Sequence, residues 1–66
     1  MSLTMTPTNF RQWRQRLGLT QVRAAEALGV TERAIRNYES GARKPSKGMV
    51  KLMAFVEQSM QERERA

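Results

Sequence analysis

The segment from Leu19 to Gly41, LTQVRAAEALGVTERAIRNYESG, is punctuated so tightly that it leaves its chain few ways to fold. Thr20 and Thr31 each stand just before a run of helical periodicity, where a hydroxyl can accept a hydrogen bond from an otherwise unmet backbone N–H. Gly29 and Gly41 close those runs, because glycine takes the positive φ that a sharp exit from a helix demands. The spacing predicts helices over about 21–28 and 32–40, hinged at Gly29, with Val30 anchoring the turn inward. Ala24, Ala25 and Ala27 keep the first helix slim, so a neighbour can approach closely. In the second, Ala34, Ile35 and Tyr38 form an inner face, whereas Glu32, Arg33, Arg36 and Asn37 form an outer one.

The flanks extend the same pattern. Thr6 caps a first helix with Pro7 at its opening position, where a missing N–H costs nothing. That helix is predicted over about 7–17 and stops at Gly18. Phe10, Trp13 and Leu17 share one side, so Trp13 reads as core. Residues 41–45 form a basic connector with Arg43 and Lys44, in which Pro45 forces Lys44 extended and Ala42 is the only anchor. Ser46 caps a last helix over about 47–61, with a broad apolar face of Met49, Val50, Leu52, Met53, Val56 and Met60. The closing QERERA is expected to fray. The expected fold is all-α, a single compact four-helix domain over residues 1–66.

Composition narrows the chemistry. A 66-residue chain buries only about 60% of its unfolded surface, so its core is modest. With no cysteine and no histidine it lacks thiolate metal ligands, the usual imidazole ligand and the usual general base. We therefore expect no enzyme activity, no metal and no cofactor. No apolar run approaches the length of about 20 residues that spans a bilayer. MSLTMTP lacks the basic start and apolar stretch of a leader, so a cytoplasmic or nucleoid-associated protein of bacterial type is expected, without membrane association. Lysine and arginine total 12 against 6 acids. The excess is concentrated in residues 1–51, which carry a balance of +7, while residues 52–66 sum to −1. Such a field favours approach to a polyanion, although charge alone also serves solubility.

Taken in order, the residues LTQ..AA..LGVT...I..YE.G..KP resemble the phage-repressor and Cro-like (XRE-type) helix-turn-helix family over roughly residues 10–56. Gly29, Val30, Ile35, the Tyr38-Glu39 pair, Gly41 and Pro45 all fall at the family's spacing. The resemblance implies a lambda-repressor-like fold whose second and third helices form the helix-turn-helix, and sequence-specific binding of double-stranded DNA. It implies that Gln21, Thr31, Arg43, Lys44 and Lys47 contact phosphates, and that Glu32, Arg33, Ala34, Arg36 and Asn37 meet base edges in the major groove. Arg33 suits guanine O6 and N7, Asn37 suits adenine N6 and N7, and Ala34 suits a thymine methyl. Arg36 suits a base or a phosphate. Glu32 either accepts from cytosine N4 or complements the helix dipole, worth about 0.3–1 kcal/mol. The family also pairs an arginine of the first helix with a glutamate of the third, which implies an ion pair between Arg14 and Glu39.

Departures from the family pattern occur at both ends. Alanine at 24 and tryptophan at 13 stand where leucine is common, so the indole is expected to fill the space the methyl leaves. One long carboxy-terminal helix replaces the usual two. Its Met49, Met53, Val56 and Met60 either form a self-complementary dimer contact or close the monomer core. The implied function is a small dimeric repressor, or autorepressor, of a phage or mobile-element operon, similar to anti-CRISPR-associated regulators. It would bind a palindromic operator with half-sites about 34 Å apart and take no small-molecule ligand. The alternatives are an antitoxin that also binds a toxin protein, and a protein-interaction module without DNA readout.

Overall fold

The computed structural model describes residues 6–65; residues 1–5, most of the stretch read above for a leader, and residue 66 lie outside the described residues. Four helices follow one another: α1 (Pro7–Arg16), α2 (Gln21–Leu28), α3 (Glu32–Ser40) and α4 (Lys47–Arg65), with no strand among the described residues. Each opens on a hydroxyl cap. Thr6, Thr20, Thr31 and Ser46 accept from the backbone N–H groups of Asn9, Arg23, Ala34 and Met49, each at 3.1 Å. Gly29 and Gly41 end α2 and α3 with φ of +69° and +86°. At Gly41 a side chain would also approach Pro7 Cγ to 3.3 Å, because the start of α1 packs over the end of α3.

Each helix sends at least one residue to the centre: Phe10, Ala24 and Ile35 are fully inaccessible and Met53 nearly so. The Phe10 ring tilts against Tyr38 at 5.2 Å and against Trp13 at 5.8 Å between centroids. Burial of such a phenyl ring stabilises by about 1.5–3 kcal/mol, a large share for a domain this small. Trp13 and Ala24 are both buried, and the indole N–H has no protein acceptor among the described residues.

Three expectations need correction. The first helix ends at Arg16, with Leu17 as its cap, because the N–H of Leu19 turns back to the Arg14 carbonyl at 3.0 Å. The connector is held by more than Ala42, which is exposed. Pro45 is buried, and the Arg43 N–H donates to the Asn37 carbonyl at 3.1 Å. Finally, α4 continues a turn past residue 61 to Arg65 instead of fraying. Glutamate, glutamine and arginine are good helix formers, and bonds from Gln58 to Glu62 and from Gln61 to Glu57, four residues apart, span the surface there.

The inner face of α4 is largely consumed within one chain. Met53 and Val56 are buried and Met49 and Met60 pack partly on the same core. A dimer contact through Met49, Met53, Val56 and Met60 is therefore not what α4 presents to solvent. Its outward large apolar side chains are Leu52 and Phe55.

Candidate nucleic-acid interface

Helix α3 divides its residues by periodicity. Ile35, Tyr38 and Glu39 are buried, which turns Arg33 and Arg36 fully outward and leaves Glu32 and Asn37 half-buried at the edges of the same outer face. Ala34 is half-buried and packs on the core, so its methyl group is shared between the interior and that face. Thr31 uses an oxygen lone pair to cap the helix, and its exposed O–H stays free to donate. Glu32, in the first turn, sits where the helix dipole favours an acid. Its Oε1 accepts from Arg36 Nη2 at 2.8 Å, a contact between side chains 41% and 63% exposed. The four-residue spacing would have revealed this pair.

Beneath the outer face lies a charged hub. Glu39 Oε2 accepts from Arg14 Nε at 2.6 Å, and Oε1 accepts from Arg14 Nη2 at 3.1 Å and Arg11 Nε at 3.3 Å. The third Arg14 nitrogen, Nη1, donates to the Leu19 carbonyl at 3.0 Å, and the Gln21 side chain is near enough to help lower the Glu39 pKa. The carboxylate thus ties α1 to α3, and Arg14 extends the tie to the loop before α2. Burial by itself raises the Glu39 carboxyl pKa, but the Arg14 hydrogen bond and charge, helped by Arg11 and Gln21, outweigh it and hold the group below its ordinary 4.5. Arg11 and Gln21 have no spacing signal that points to Glu39, since the contacts depend on how three helices cross.

Gln21 is half-buried at the first position of α2, where backbone N–H groups and the positive helix end face outward. Past the other end of α3, Arg43, Lys44 and Lys47 are exposed. Two arginines away from this region are engaged: Arg16 makes a two-pronged bridge to Glu57 at 2.8 and 3.1 Å, and Arg23 meets Glu26 at 3.4 Å. Arg33, Arg43, Lys44 and Lys47 pair with no carboxylate among the described residues. These four lie on α3, on the segment that follows it and at the first residue of α4; Lys51 and Arg63, farther along α4, are likewise without a carboxylate partner among the described residues. This arrangement suits a polyanion that presents phosphates on both sides of a groove wide enough for a helix. No cluster of acidic residues among the described residues suits a metal ion, and no described helix is long and apolar enough to cross a membrane.

No curated protein matches the chain significantly. A profile of the helix-turn-helix family matches residues 10–54, more than half of the sequence, and spans the buried Phe10, the hinge at Gly29, the outer face of α3 and the basic connector. The chain therefore belongs to the Cro-like, XRE-type helix-turn-helix family and is a DNA-binding regulator.

Proposed function

We propose that the protein is a sequence-specific transcription regulator that binds a palindromic operator as a homodimer, with α3 in the major groove of each half-site. The supporting observation is the outer face of α3, where Arg33 is exposed and without an acidic partner one turn from Asn37, directly over a fully buried Ile35. A rigid inner face fixes where the outer side chains project, which base readout requires. Arg33 reads guanine and Asn37 reads adenine, while Ala34 supplies an apolar edge for a thymine methyl. Glu32 and Arg36 act as a pair that opens toward cytosine N4 and a base or phosphate. Gln21, Thr31, Arg43, Lys44 and Lys47 position the domain on phosphates and contribute the salt-dependent part of binding.

Occupying a promoter in this way excludes polymerase, so repression, including repression of the protein's own operon in a phage or mobile element, is the mode proposed. Regulation then follows from protein concentration and operator spacing, in the cytoplasm, without a small-molecule ligand. Selection of binding sites from random duplex DNA tests the whole reading. Inverted half-sites with centres about 34 Å apart are expected. Failure to enrich any sequence, with retention at low salt only, would leave a non-specific binder in place of a regulator that reads an operator.

A further inference from the structure

We propose that Arg11 is a further contact to the DNA backbone, its guanidinium set in place by Glu39 so that its free end takes a phosphate between those held at Gln21 and at Arg43 and Lys44. The contact rests on the DNA reading above and adds to it a residue outside both the helix-turn-helix and the connector. Charge at the hub singles it out. Glu39 carries one negative charge, and Arg14 alone answers it with two bonds, Nε to Oε2 at 2.6 Å and Nη2 to Oε1 at 3.1 Å, from a side chain 13% exposed. Arg11 is then a surplus cation. It gives Oε1 a single bond from Nε at 3.3 Å, and its side chain is 57% exposed. Its Nη1 and Nη2 meet no acceptor among the described residues. A guanidinium held at Nε still presents the two-pronged end that matches phosphate oxygens, with part of its rotamer freedom already spent.

Placement says which anion it meets. Arg11 lies one turn of α1 beyond Pro7, on the same side of that helix. Pro7 in turn lines one cleft with Gly41, Arg43 and Lys44. From the other flank Gln21, the first residue of α2, approaches the carboxylate that Arg11 holds. Arg11 therefore stands between the two groups proposed to hold phosphates and closes the gap in a strip that runs from α2 to the connector. A duplex strand offers phosphates in a row along such a strip. Its contact carries no base information, so Arg11 adds affinity and orientation but no sequence preference.

Anisotropy titrations over a range of ionic strength test the contact, with one duplex carrying the selected site and another of equal length in which that site is scrambled. Arg11→Gln is expected to weaken both by the same factor, about three- to tenfold, and to reduce the salt slope by about one unit. Arg11→Lys, which keeps the charge, should keep most of the slope. The thermal midpoint of Arg11→Gln should stay close to that of the wild type, since the Arg11 side of the pair is open to water. Ethylation interference should reveal one phosphate, beside that of Gln21, whose modification weakens the wild type and no longer matters to Arg11→Gln. A salt slope unchanged in Arg11→Gln while Lys44→Ala lowers it, or a steep fall in midpoint with the slope unchanged, would overturn Arg11 as a DNA contact and leave the operator reading standing. A wild-type chain that retains neither duplex even in dilute salt would defeat the operator reading, and this contact with it.

Discussion

The two sides of α3 carry ion pairs of nearly equal length and very different weight. On the inner side, Arg14 meets Glu39 at 2.6 Å with side chains 13% and 3% exposed; on the outer side, Arg36 meets Glu32 at 2.8 Å with side chains 63% and 41% exposed. Water screens the outer pair, so it contributes roughly 0.3–0.5 kcal/mol and can be exchanged for a nucleic-acid partner. Loss of either inner partner strands a charge that the interior cannot hydrate. Burial rather than distance therefore decides which pair the fold depends on and which stays open to exchange, within a helix of 9 residues.

If that distinction is right, Glu39→Ala or Arg14→Ala has the largest effect, a loss of about 3 kcal/mol of stability. A domain of this size has total stability on the order of 3–10 kcal/mol, so thermal unfolding followed by circular dichroism should show a steep fall in midpoint. DNA affinity would drop with it, through the fold. The same pair gives an acid limb. Because the folded Glu39 carboxyl lies below its ordinary 4.5, its contribution is present above the unfolded value and is lost as pH falls through the lowered folded value. Glu39→Gln should flatten stability against pH in that window, and an unchanged acid limb would remove Glu39 as its origin.

On the outer side, Arg33→Ala should lower affinity for the selected site by about 1–3 kcal/mol and relax preference at one base pair, with its melting temperature unchanged. Lys44→Ala should weaken all sequences alike and reduce the salt slope by about one unit, measured by anisotropy over a range of ionic strength. Identical behaviour of these two variants would erase the separation of reading from positioning. The smallest expected effect is that of Glu32→Gln, within about 0.5 kcal/mol in stability. It should raise non-specific affinity slightly, since it removes an acid from the face that meets phosphate and releases Arg36. A loss of stability as large as that of Glu39→Ala would show that the outer pair is structural after all.

Much of the fold was legible from short-range chemistry. The threonine caps, the closing glycines and the apolar positions Phe10, Trp13, Ile35 and Tyr38 all act within a turn or two of chain, so their spacing is enough to place α1, α2 and α3 and to assign their inner faces. Arg33 and Asn37 were identified as outward by the same periodicity; Arg33 is exposed and Asn37 half-buried at the edge of that face. Less visible were Pro45 as the anchor of the connector and the extra turn of α4, because each depends on contacts or helix-former runs that carry no strong boundary signal.

Side-chain spacing thus established where each helix begins, where α2 and α3 end and which side of each turns inward, for those rules operate along a single backbone. Which distant groups meet was settled by the angles at which the helices cross. Arg11 joins Arg14 on Glu39, Arg16 reaches Glu57 across 41 positions, and Leu52, on the apolar face by spacing, is left exposed while Met53 and Val56 enter the core. No periodic pattern encodes a crossing angle, because that angle minimises the energy of all the interlocking side chains at once.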